Sequence, residues 1–153
     1  MKEVGFLGHV ISGEGIAVHP TKVQSVTEWL APTSVSEIRS FLGLVGYYRR
    51  FIENFSKIAK PMTKLFKKDT KFKWTEDCEA SFQELKKRLT TAPVPILPDI
   101  CKNFQVYCDA SRLGLGGVLM QDERVVSYAS FLNTHIGESP AVHRALLTSW
   151  DLG

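Results

Sequence analysis

Short apolar runs open the chain. Val4, Phe6, Val10 and Ile11 are strand formers, Ser12-Gly13-Glu14-Gly15 carries turn chemistry, and Ile16-Ala17-Val18 resumes an extended run. Residues Val4 to Val18 therefore predict a β-hairpin, stopped by His19-Pro20. A short helix is expected from Pro20 to Leu30, with Val23, Val26 and Leu30 three and four residues apart, and Ala31-Pro32 ends it. The strongest helical pattern follows. Ser34 and Glu37 have capping-box spacing, and Val35, Ile38, Phe41, Leu42, Val45, Tyr48 and Ile52 return at helical intervals. Asn54-Phe55-Ser56 predicts a break, then a further short helix to about Phe66, with Pro61 tolerated only in its first turn or at a kink. Thr75 has the position of an N-cap, Glu76, Asp77 and Glu79 suit a first turn, and Cys78, Phe82, Leu85 and Leu89 make the apolar stripe.

The proline-rich stretch Pro93 to Pro98 marks the best domain boundary, because the pattern changes beyond it. Phe104 to Cys108, Gly114 to Met120 and Arg124 to Ala129 predict three short strands of an antiparallel meander. From Phe131 to Gly153 only a weak amphipathic pattern remains. These elements give an α+β chain: an N-terminal β-hairpin, a helical middle and a small antiparallel sheet.

Composition alters this picture little. The hydrophobic fraction of 44% and charged fraction of 23% are those of a globular chain. Net charge is only +3, but Gly46 to Thr90 holds twelve basic and six acidic residues, a local excess of +6. Such a stretch can follow a phosphate backbone or simply form a solvated helical face. Within it, Tyr47-Tyr48-Arg49-Arg50-Phe51 allows two readings. The aromatics stack on bases while the arginines pair with phosphate, or one tyrosine and Phe51 pack inside while the arginines face water. Three cysteines, Cys78, Cys101 and Cys108, have no metal-ligand spacing and suggest reduced thiols in an intracellular compartment, cytoplasmic or nuclear. No apolar run approaches the roughly twenty residues needed to span a bilayer, so no membrane partner is expected.

Asp109, expected at the end of a strand and followed by Ala110-Ser111, could ligate a hard divalent cation or cap its own turn. Gly114, Gly116 and Gly117 lack nucleotide-loop spacing, and the four histidines form no zinc set.

Phe6-Leu7-Gly8-His9-Val10-Ile11-Ser12, Gly15-Ile16 and Pro20-Thr21-Lys22-Val23 resemble the end of the reverse transcriptase palm in the Pol polyprotein of gypsy-class LTR retrotransposons. Ile38 to Leu44 and Gly46 to Ile52 are similar to its thumb, and Phe72-Lys73-Trp74-Thr75 with Ala92-Pro93 to its connection. Tyr107 to Ser111, Gly114 to Leu119 and Ser127 to Ser130 resemble the first three strands of its RNase H domain. The resemblance implies a palm-end hairpin over 1–19, thumb and connection helices over 20–92, the start of a truncated RNase H-like sheet over 93–130, and a divergent tail over 131–153.

It also implies roles. The hairpin helps position a primer terminus, and the thumb holds a template–primer duplex. Tyr48, Arg49, Arg50, Lys57 and Lys64 become the nucleic-acid-binding positions, and Asp109 the first Mg-binding carboxylate of RNase H. The polymerase aspartates of the family lie upstream of the hairpin, and no Asp-Asp pair occurs here. The second RNase H carboxylate belongs to an acidic, leucine-rich helix. Glu138, between Gly137 and Ser139-Pro140, is a poor substitute, so the tail reads as divergent, as after a frameshift or decay. His19 stands where many relatives carry aspartate before the proline. The expectation is a fragment of a reverse transcriptase/RNase H polyprotein, inactive alone and with no productively bound Mg. Its partners would be an RNA–DNA or DNA duplex backbone, held weakly, and the remainder of the polyprotein. The alternatives are a residual sequence-independent nucleic-acid-binding module, or an incompletely read gene for an active polyprotein.

Overall fold

A computed structural model describes residues 3–68, 70–92, 94–111 and 114–132. Two three-stranded antiparallel sheets are separated in sequence by four helices. The first sheet contains β1 (Val4–Phe6), β2 (His9–Ser12) and β3 (Gly15–Val18) in that order. The predicted hairpin is therefore β2–β3, and a second tight turn at Leu7-Gly8 adds a third strand. Phe6 pairs with His9 across that turn, where Leu7 has φ 48° and Gly8 φ 79°. Two successive positive φ values give the hand that suits a two-residue hairpin, but leucine is an unusual occupant. The turn is held from outside: the Tyr47 hydroxyl donates to the Leu7 carbonyl and the Tyr48 hydroxyl to the Gly8 carbonyl, both at 3.2 Å.

Helix α1 (Pro20–Thr27) begins with proline in its first turn, and His19 Nδ1 accepts the Thr21 amide at 3.3 Å. His19 thus supplies the acceptor that an aspartate supplies elsewhere. The helix ends three residues before Leu30, which is 84% exposed and does not join the apolar stripe. Helix α2 (Val35–Tyr47) is capped by Ser34 Oγ, which accepts the Glu37 amide at 3.2 Å. Glu37 reaches back to the Thr33 amide at 2.7 Å, one residue beyond the usual capping-box partner. α2 stops at Tyr47 rather than running to Ile52. A 3₁₀ turn over Arg49–Phe51 follows, and it rotates both Phe51 and Ile52 into the core.

Asn54, in the left-handed region at φ 57°, breaks the chain before α3 (Phe55–Thr63). Pro61 lies in the last turn of α3, not the first. It removes one amide from the ladder, and the helix tightens into a 3₁₀ turn over Lys64–Phe66. Helix α4 (Glu76–Thr90) has the predicted cap, with Thr75 Oγ1 accepting the Cys78 amide at 3.3 Å.

The core lies among these helices. Ile38, Phe41 and Val45 of α2, Ala59 and Met62 of α3, and Cys78, Phe82, Leu85 and Leu89 of α4 are buried together. Phe41 and Phe82 sit 4.6 Å apart, with Trp29 edge-on to Phe41 and Trp74 edge-on to Phe82. Each large apolar side chain buried in this way contributes roughly 1.5–3 kcal/mol.

The second sheet contains β4 (Gln105–Ser111), β5 (Gly114–Gln121) and β6 (Arg124–Leu132) in order. Gln105 through Asp109 on β4 are all exposed, and β4 is the edge of the described sheet. β6 packs on α3. Helix α3 has no side-chain cap from Asn54, and Ser130 of β6 supplies one from 74 residues away. Its Oγ accepts the Ser56 amide at 3.0 Å, in the first turn, and its hydroxyl donates to Ser56 Oγ at 3.1 Å. The Ser56 hydroxyl in turn donates to the Ser130 carbonyl at 2.8 Å. This satisfies an amide that the first turn of a helix otherwise leaves bare.

The proline-rich stretch between α4 and β4 touches both sheets. The Ile16 amide donates to the Pro95 carbonyl and the Ile96 amide to the Val125 carbonyl, each at 2.9 Å. Gly15, at φ 145°, passes so close to Pro95 that an added Cβ would lie 2.1 Å from its carbonyl oxygen. Gly15→Ala is expected to destabilise the chain by at least about 2 kcal/mol, seen as a lower urea midpoint. An unchanged midpoint would show that β3 does not depend on this approach.

Candidate nucleic-acid interface

The five residues expected to contact nucleic acid do not form one surface. Tyr48 is 1% exposed and cannot stack on a base. Its ring closes the core beneath the Leu7-Gly8 turn, and burial, with Tyr47 beside it, pushes its phenol pKa up. The correction has a plain cause: Tyr48 lies three residues after Val45 and continues the buried stripe of α2, while Tyr47 stays 54% exposed. At this cluster the accessible ring is Tyr47; helical spacing already placed Tyr48 on the apolar stripe, and only the resemblance assigned it to nucleic acid.

The cations sort more favourably. Arg49 is exposed and Arg50 half-buried in the 3₁₀ turn. Lys57 and Lys64 are exposed, and Lys60 lies between them at helical spacing, so the three share the side of α3 away from Ala59 and Met62. The ion pairs among the described residues are Arg88–Glu84 and Lys102–Asp122, so none of these cations is neutralised by a carboxylate there. Lys60, which the sequence reading did not single out, is half-buried on the same side at an i+3 relation to Lys57.

His9 has an unexpected setting. Its ring lies within 5.4–5.7 Å of the Tyr47, Tyr48 and Phe51 rings, and its Nε2 is buried without a hydrogen-bond partner. Burial lowers its pKa below the ordinary 6.5, and the Arg50 guanidinium lowers it further. The imidazole is therefore carried neutral.

Asp109 is exposed on β4, directly opposite Gly116. It lines a cleft of about 200 Å³ with Tyr107 and Tyr128 from the sheet and Glu53 and Asn54 from the turn before α3. Burial pushes the Tyr128 phenol up, and the Glu53 carboxylate adds to the shift. Gly116 leaves room for Asn54, whose Oδ1 would be 3.2 Å from a Cβ added there. The chemistry of a two-Mg site asks for several converging carboxylates. Among the described residues no group of three or more His, Cys, Asp or Glu comes together, so they do not fit such a site. Glu138 lies outside the described residues.

Comparison with known proteins decides the family. Residues 74–149 match the family described as the RNase H-like domain found in reverse transcriptase. The retrovirus-related Pol polyprotein from transposon 297 of Drosophila melanogaster is 44% identical over 149 residues, covering 95% of this chain and 14% of that protein. The chain belongs to the retrotransposon Pol family. A second relative, an uncharacterised mitochondrial protein of Arabidopsis thaliana, is 46% identical over 100 residues, 64% of this Pol chain and 63% of that protein. Foamy viral protease-reverse transcriptase in complex with double-stranded DNA superposes with a TM-score of 0.82 at 26% identity, over 98% of this chain and 29% of that one. Its complex with an RNA/DNA hybrid gives 0.80 at 26% identity, over 96% and 22%. The Pol chain thus spans a small part of the polyproteins it matches. The family match continues to residue 149, so the departure from pattern expected after Ser130 does not end the relationship there.

Two outcomes follow for this Pol chain. Tyr48→Phe should cost about 1 kcal/mol of stability through the lost bond to Gly8, and leave duplex affinity unchanged in a binding titration. Lowering pH should also destabilise it. The unfolded His9 takes up a proton near 6.5 and the folded one only at lower pH, so stability is full above 6.5 and is lost as pH falls toward the folded value. Chemical denaturation of His9→Phe across this range should lack that component; an identical slope would remove His9 as its source.

Proposed function

We propose that the chain grips a nucleic-acid duplex by its phosphate backbone, without reading sequence, and performs neither polymerase nor nuclease chemistry by itself. One observation carries this reading: Arg49, Lys57 and Lys64 stand exposed, without carboxylate partners among the described residues, along the 3₁₀ turn and α3. Cations free of internal ion pairs can replace counterions on phosphate, whereas paired ones gain little. Support comes also from the foamy viral structures, which carry double-stranded DNA and an RNA/DNA hybrid. In this reading residues 1–19 are the palm end, 20–92 the thumb and connection, 93–130 the start of the RNase H-like part, and 131–153 the tail that follows it. Asp109 is then one carboxylate of an Mg site that the described residues do not complete. The rest of the polyprotein is the second partner, and the exposed strand β4 is where it would meet this chain.

The test is a titration of an RNA/DNA hybrid at several salt concentrations. Binding should be measurable at about 50 mM salt and should weaken steeply as salt rises. Arg49→Ala, Lys57→Ala and Lys64→Ala should each weaken it for every sequence alike and lower the log–log slope by about 1. Absence of binding at low salt would overturn the proposal, and so would an unchanged slope in all three variants.

A further inference from the structure

Two contacts made by the turn before α3 lie on a single row of the second sheet. Ser130 is paired with Gly116, and Gly116 with Asp109, so the three residues face each other across β6, β5 and β4. Directly opposed residues point to the same face of a sheet. On that face Ser130 is bonded to Ser56 by three hydrogen bonds of 2.8–3.1 Å, and Asn54 Oδ1 rests over Gly116. Asp109 ends the row, in the cleft it shares with Glu53 and Asn54. At a strand spacing of about 4.8 Å, Asp109 is roughly 10 Å across the sheet from the serine clasp.

The clasp is reciprocal. The Ser130 hydroxyl caps the helix that bears Lys57 and Lys60 and leads into the turn at Lys64, and the Ser56 hydroxyl bonds the backbone of the strand whose row leads to Asp109. Sliding β6 along α3 by one residue would expose the Ser56 amide and lose the other two bonds together. The Ser56 and Ser130 side chains bond each other, so their effect on a bound duplex runs through geometry.

We infer that Ser56 and Ser130 are positioning residues: they lock the basic helix α3 to the sheet row carrying Asp109, so that a duplex gripped by the helix lies at one fixed offset from that carboxylate. The inference rests on the duplex grip proposed above. It assigns that grip a second purpose, which is to set where along the duplex the RNase H carboxylate stands.

The full chain carries a convenient reporter, because Cys108, next to Asp109 along β4 though on the opposite face of the sheet, is exposed while Cys78 is buried. With Cys101→Ser to leave one exposed thiol, an iron–EDTA group on Cys108 would cut a bound end-labelled RNA/DNA hybrid by hydroxyl radical. The expected result is a narrow cleavage window that spreads about twofold or more in Ser56→Ala and Ser130→Ala, with hybrid affinity changed by less than about twofold. A clasp that served stability alone would lower the melting temperature and leave the window where it was, which would overturn the inference. If Ser130→Ala does not fold, Ser56→Ala carries the measurement, since it leaves the cap on the Ser56 amide in place. A second measurement needs no duplex: spin labels on Cys108 and on Lys64→Cys, in the Cys101→Ser chain. It should give a narrow distance distribution that broadens in Ser56→Ala. An unbroadened distribution overturns the clasp. Failure of the hybrid to bind, with the broadening present, overturns the grip and with it the offset, but leaves the lock standing.

Discussion

The packing of Phe41 against Phe82 is the contact from which the rest of the molecule hangs. It joins α2 to α4 at the centre of the core, with Trp29 and Trp74 closing the two ends of the aromatic row. Once α2 is fixed along this line, its final turn must deliver Tyr47 and Tyr48 to the carbonyls of Leu7 and Gly8. The strained turn of the first sheet is thus held by a helix, not by its own residues. The 3₁₀ turn that follows sends Phe51 and Ile52 inward and brings Asn54 round to start α3 against β6. Both sheets are in this way referred to one helix pair.

Under the proposed duplex grip, this arrangement suits a ligand that is long and uniformly charged. A duplex backbone offers the same phosphates at every position, so the useful properties of its holder are exposed charge and a stiff frame. Lys57 and Lys60 stand on α3 and Lys64 in the 3₁₀ turn that continues it, and α3 is tied both to the core through Met62 and to the second sheet through Ser56. Arg50 behaves differently. It lies close enough to His9 to oppose its protonation, so part of its field falls on the interior instead of on solvent.

What could be read from the residues alone was what depends on neighbours in sequence. The caps at Ser34 and Thr75, the break at Asn54 and the stripe Cys78, Phe82, Leu85 and Leu89 are all local, and each is present. The errors share the opposite cause. Tyr48 is an exception, since helical spacing put it on the apolar stripe with Phe41 and Val45 and only the resemblance assigned it to nucleic acid. Leu7 gave no turn signal because two tyrosines forty residues away hold its conformation. Pro61 sits late in α3 because the helix passes directly into a 3₁₀ turn, which asks less of the lost amide. Of the candidate site, the charges and Asp109 could be named from the sequence, whereas the serine clasp between α3 and β6 joins residues 74 apart and left no sign there.

The borrowed cap on α3 has a consequence for how the chain comes into being. A ribosome emits residues in order, at about 5–20 per second, so Ser130 follows Ser56 by roughly 4–15 s. Through that interval Asn54 offers the helix no acceptor, and the first turn of α3 has to wait with a bare amide. The helix core around Phe41 and Phe82 can close as soon as residue 89 has emerged, but the frame is finished only when β6 arrives. Among the described residues, the last strand to be made is therefore the one that completes a helix begun much earlier.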